Sequence, residues 1–174
     1  RGAWTFMTSG PIYLSMSSSA LPNVSCVRAE ATDINETAKT LTHKVYVKLR
    51  HDDLSEWILK HASYTPTKVS GQGRVLAFTS TDKDTGAVTR YSFALKTPDC
   101  AVVIKTRDIQ GRTRSPGLVG STELWVNDRF FKKDLAACYQ QFFELCKCNR
   151  NVTRYDVNEC RNLYKYPEEN QESC

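Results

Sequence analysis

Seven cysteines, three histidines and three Asn-x-Ser/Thr triplets are the residues of this 174-residue chain whose types and spacing could carry chemistry. The cysteines are Cys26, Cys100, Cys138, Cys146, Cys148, Cys160 and Cys174. Cys146-Lys147-Cys148 admits a metal or redox reading. Seven cysteines in one chain of this size fit disulfides better, because thiols in a reducing cytosol stay unpaired. Spacing alone does not choose the pairing, and the odd number leaves one thiol free or joined to another molecule. The triplets Asn23-Val-Ser25, Asn35-Glu-Thr37 and Asn151-Val-Thr153 are acceptor sites for N-glycosylation and sit in turn-like positions, which agrees with an oxidising, extracellular compartment. His43, His51 and His61 lack the spacing of metal ligands. A His-Glu-x-x-His helix, a Gly-x-Ser-x-Gly elbow and a phosphate-cradling glycine loop are all missing from the sequence. Cysteine-protease chemistry would need a reactive thiol beside a histidine, whereas most thiols here are expected to be bridged. The expectation is a protein without enzymatic activity, metal or cofactor.

Composition narrows the classes further. The net charge of +5 is thin and dispersed, which argues against nucleic acid as the partner. The longest apolar runs are a few residues, far below the roughly 20 of a membrane-spanning helix. With 40% hydrophobic and 25% charged residues the chain reads as an ordinary globular protein. At this length a single domain over 1–174 buries roughly 70% of its unfolded surface. The sequence starts at Arg1 without a charged-then-apolar leader, so a signal peptide is expected to have been removed and the protein secreted.

These groups need a scaffold, and a period-2 pattern supplies it. From Lys39 to Arg50, Leu41, His43, Val45, Val47 and Leu49 share one face. Similar strands are read at about 11–17, 24–33, 57–64, 74–81, 87–96, 100–106 and 121–127. Thr81-Asp-Lys-Asp-Thr-Gly86 is a hairpin loop. The period changes after Asp134, a helix N-cap, with Leu135, Cys138, Phe142 and Leu145 at helical spacing. The spacing predicts a helix over about 134–148 lying on the outside of the sheet, followed by a tail over 149–174 tethered through Cys160 and Cys174. Eight sequential antiparallel strands over about 11–127 make an all-β, up-and-down barrel with room for one small ligand.

Three pieces in order, Val24-Ser-Cys26-Val27, Asp99-Cys100-Ala-Val-Val-Ile104 and Thr122-Glu-Leu-Trp-Val126, followed by Cys138 and Cys160, resemble the tick salivary lipocalins. The likeness runs from about Ile12 to Cys160. It implies an eight-stranded lipocalin barrel with an outer helix, secreted in saliva into a host. It also implies the bridges Cys26–Cys160 and Cys100–Cys138, with Cys174 then expected to pair with Cys146 or Cys148. The amine-binding members carry Cys-Asp-aliphatic, then Glu-Leu-aromatic, then the helix cysteine. Here Glu123-Leu124-Trp125 matches, but Ala101 stands where the aspartate belongs. Ser15 to Leu21 also lacks the acids and aromatics that amine binders use there. Histamine and serotonin are therefore expected to bind weakly.

If Glu123 points inward as in that family, strand alternation brings Trp125, Val103, Lys105, Thr89, Tyr91, Phe93 and Leu95 into the cavity. These side chains either line a ligand pocket or simply fill the barrel. Glu123 has three possible states: paired with a ligand cation, paired with Lys105 or an arginine, or protonated. The segment Lys105 to Gly117 is basic and turn-rich, with Arg107, Arg112 and Arg114 suited to an acidic protein surface if it is not merely a solvated loop. Two functions result. The first is blocking a host innate-immune protein, such as a complement component, through surface loops. The second is sequestration of a small hydrophobic or amphiphilic mediator, an eicosanoid, fatty acid or sterol. A monomer is expected unless the odd cysteine pairs between chains.

Overall fold

A computed structural model describes residues 2–107, 119–130, 133–148 and 151–161. Eight strands follow in order: β1 (Ile12–Ser17), β2 (Val24–Asn35), β3 (Thr40–His51), β4 (Leu54–Val69), β5 (Val75–Asp82), β6 (Val88–Lys96), β7 (Cys100–Arg107) and β8 (Val119–Asn127). Each pairs antiparallel with the next, and β8 returns to β1 with Leu14 opposite Trp125. Pairing of Ile12 with Ala29 joins β1 to β2 and closes the barrel. The alternation along β3 becomes a two-sided wall: Leu41 and His43 are buried toward the interior, and Thr42 and Lys44 stand on the opposite side. The eight-stranded antiparallel lipocalin barrel with one outer helix, expected from the sequence, is present.

Two core layers result. Inside, Phe78, Phe93 and Tyr64 pack with Phe6 and Met7 of a short helix α1 (Ala3–Met7) that closes one end. Outside, α2 (Ala136–Cys146) covers β6 to β8 with Cys138 and Phe142 against Tyr13, Val102 and Leu124. Its stripe is the one the period predicts, and Asp134 Oδ1 accepts the Ala136 N–H at 2.9 Å. The helix is shorter than expected because Lys147 turns left-handed (φ 49°) and ends it. Burying Phe142 and Leu124 fully should contribute roughly 1.5–3 kcal/mol each.

Polar segments after the helix are more ordered than the sequence suggests. β9 (Thr153–Arg154) pairs with Met16 and Ser17, where β1 has left β2. Tyr155 then fills the gap between those strands, packed on Leu14 and Val27. Next, α3 (Val157–Arg161) is tied to β2 by Cys26–Cys160, and Cys100–Cys138 ties α2 to β7. The third bridge differs from expectation. It joins Cys146 to Cys148, not either of them to Cys174. The left-handed turn at Lys147 brings the two cysteines face to face, with Cα atoms 5.0 Å apart. Cys174 lies outside the described residues.

Loops at 36–39, 70–74 and 97–99 gather with α1 at the closed end. The turns at 18–23, 52–53 and 83–87, and both ends of the segment between Arg107 and Val119, lie at the open end.

Candidate functional site

The barrel interior is divided across its axis. Tyr64, Tyr91 and Trp125 line both the spaces above and below them. Below, Phe6, Met7, His43, Phe93 and Val103 leave a void of only about 20 Å³. Above lies an open-end cavity of about 210 Å³. The two tyrosines pack together as a floor, their ring centroids 5.9 Å apart and tilted by 48°. Burial pushes Tyr64 up to about 12 and Tyr91 well above the usual phenol range, so both stay protonated.

The upper cavity has two unlike walls. Strands β1 to β3 contribute Leu14, Val27, Ala29, Val45 and Val47, an apolar surface. Opposite stand Ser80, Thr89, Lys105, Arg107 and Glu123, with Lys60 and Asp82 at the rim. Glu123 is 2% exposed, and its carboxylate is already partnered. Oε1 accepts the Trp125 indole N–H at 3.0 Å, and Oε2 lies 3.7 Å from Lys105 Nζ. Of the states open to this residue, the structure shows pairing with Lys105. The rim acid is committed too, since Asp82 Oδ1 accepts the Asp84 and Thr85 N–H groups of its own hairpin at 2.8 and 3.1 Å. Slight burial opposes its charge, but these hydrogen bonds and Lys60 hold Asp82 below the usual carboxylate range. Arg107 has no carboxylate partner among the described residues. Three cations thus meet two occupied carboxylates, and the polar wall carries an excess positive charge suited to an anionic group.

His43 points into the barrel but serves the closed end. Its Nε2 lies 3.1 Å from the Met7 carbonyl oxygen, and its ring stands edge-on to Tyr64 at 4.8 Å. Burial pushes its pKa down to about 4, against the opposing pull of that carbonyl. Among the described residues, no group of three or more His, Cys, Asp and Glu side chains is placed to hold a metal ion.

The positions named from the sequence separate accordingly. Glu123 and Lys105 face the upper cavity, Tyr91 and Trp125 form its floor, and Phe93 and Val103 lie beneath. Leu95 is a correction, because it packs against the outer cluster under α2. A bulge at Ala94 places Phe93 opposite Val103 and Leu95 opposite Val102, which inverts the alternation. Arg107 lines the cavity mouth and is exposed there, while Arg112 and Arg114 lie outside the described residues. Asn23, Asn35 and Asn151 are all exposed. Sequence reading missed the apolar wall, although the Val45-Val47 face announced one, and it missed Lys60. Tyr155 had no signal at all: its place depends on a bridge 134 residues long in sequence separation.

A sequence-family model described as tick histamine binding protein matches residues 2–162. Japanin from Rhipicephalus appendiculatus, solved with cholesterol, superposes with a TM-score of 0.63 at 12% identity, covering 88% of this chain and 97% of that one. The siderocalin Ex-FABP gives 0.53 at 14% identity, over 85% of this chain and 93% of its own. A mutant of LTBP1 in complex with leukotriene C4 gives 0.50 at 12% identity, over 90% and 87%. At these identities the structures share the fold. No curated protein sequence matches the chain.

Proposed function

Because the chain belongs to the tick histamine-binding protein family, we propose that it is a secreted, non-enzymatic lipocalin that sequesters a small amphiphilic host molecule with an acidic head group. A fatty acid or eicosanoid has the required shape. The observation that carries this reading is the two-walled cavity, apolar along β1 to β3 and cationic along β7, with both of its acids already occupied. The tail of the ligand lies on Val27, Val45 and Val47, and its carboxylate meets Arg107 and Lys105. Relatives in fold that were solved with cholesterol and leukotriene C4 support an apolar or amphiphilic ligand. A biogenic amine fits less well. Ala101 supplies no carboxylate, and Lys105 holds the site beside Glu123 that an ammonium group would take.

A second reading, blockade of a host innate-immune protein such as a complement component, is favoured by the character of the open end. There Leu54, the first residue of β4, is 76% exposed, and the paired strand ends at Arg107 and Val119 lie at the same end of the barrel. Native mass spectrometry of the purified protein before and after incubation with host serum tests both. A retained small mass that dissociates as a carboxylic acid supports the carrier. A stoichiometric serum-protein complex, disrupted by replacing Arg107, Arg112 and Arg114 together, supports the inhibitor. Serum incubation that leaves the bare protein mass alone contradicts both.

A further inference from the structure

Cys146–Cys148 differs from the other two bridges in each property that protects a disulfide from attack. Cys26, Cys160, Cys100 and Cys138 are 0–2% exposed, and their bridges span 134 and 38 positions. Cys146 and Cys148 are only partly buried and two positions apart. Opening Cys26–Cys160 would release α3 and the segment that seals β1 to β2, and opening Cys100–Cys138 would release α2 from the barrel. Opening Cys146–Cys148 frees a single turn at Lys147. A loop that short restricts the unfolded chain very little, so the fold does little to keep it closed.

We propose that Cys146–Cys148 is a thiol–disulfide exchange site, reacting with low-molecular-mass thiols or with an accessible cysteine of a partner protein. The attacking thiolate forms a new S–S bond to Cys148 Sγ as the Cys146–Cys148 bond breaks. The electron pair of that bond leaves on Cys146 Sγ, which then takes a proton from water. The exchange involves no net oxidation. Its polarity follows from one hydrogen bond: the Cys148 backbone N–H donates to Cys146 Sγ at 3.2 Å. A donated N–H stabilises a thiolate. Cys146 ends α2, where the helix's partial negative charge opposes a thiolate, and this donor offsets that effect.

Glutathione serves as the probe, on the full chain and on a Cys174→Ser variant, with iodoacetamide quenching and peptide mass mapping. Cys146–Cys148 is expected to open at a glutathione concentration at least about tenfold below that which opens either other bridge. Glutathione should be found on Cys148 and the alkyl label on Cys146, in both proteins, with the barrel's circular dichroism unchanged. The proposal is overturned if the three bridges open together or if the reaction disappears in Cys174→Ser. An adduct on Cys146 with the label on Cys148 overturns the polarity.

Discussion

The closed and open ends of the barrel are built from the same strands and differ in what the inner faces carry. At the closed end Phe6, Met7, Phe93 and Tyr64 interlock around a void of about 20 Å³, with Phe78 packed behind them. At the open end, charged groups line about 210 Å³. One end buries mostly apolar surface, with His43 the buried ionisable side chain that lines the void beneath the tyrosines. The other keeps Glu123 nearly inaccessible, which costs stability unless Lys105 and Trp125 partner it. Apolar packing therefore concentrates below the tyrosine floor, and charged lining above it.

The largest effect expected from breaking this contrast is at Phe78, which is fully buried, stacks on Trp4 and meets Phe93 edge-on. Phe78→Ala should cost about 3–5 kcal/mol in urea denaturation. A loss under about 1 kcal/mol would mean the closed end is not where the fold's stability lies.

His43 gives the next effect, through pH. Its folded pKa is about 4 against an ordinary 6.5, because burial disfavours the charged ring. The unfolded chain therefore binds more protons between those values. This contribution is complete above about pH 6.5 and lost as pH falls toward 4, amounting to roughly 3 kcal/mol. Urea midpoints of the wild type and His43→Phe, measured from pH 7 to 4.5, should show a shallower slope in the variant. Parallel slopes would remove His43 from the account.

Lys105→Met leaves the Glu123 carboxylate with only its indole hydrogen bond, and should cost about 1–3 kcal/mol. Adding Glu123→Gln should recover part of that loss, since the neutral amide needs no counter-ion. Additive losses in this double-mutant cycle would show that the pair is not coupled. The smallest effect is at Leu54, where Leu54→Ser should stay within about 0.5 kcal/mol by thermal unfolding, because the side chain is 76% exposed.

The same contrast explains what the sequence reveals. Strand period and turn residues locate all eight strands, because turn residues bound each strand and the period is local. The likeness to tick lipocalins supplies Cys26–Cys160 and Cys100–Cys138, which spacing does not choose. Helix α1 is not legible, since five residues are too few to display a helical period. The inward set fails at Leu95, where one bulge residue inverts the face, and bulges leave no reliable mark in composition. Glu123 and Lys105 can be placed on neighbouring strands from the sequence. Their pairing depends on register, which puts Val103 opposite Glu123 and Lys105 opposite Ser121. Cys146–Cys148 depends on a left-handed residue at Lys147, an unusual conformation for a lysine.

The central claim is that the open-end cavity selects an anionic head group. Calorimetric titration with a long-chain fatty acid and its methyl ester, on the wild type and Arg107→Gln, tests it most directly. The acid should bind more tightly than the ester by roughly 10- to 100-fold, the worth of one hydrogen-bonded charge contact. Arg107→Gln should remove most of that difference while leaving ester binding unchanged. Equal binding of acid and ester by the wild type, or tighter binding of histamine than of either, would contradict the account.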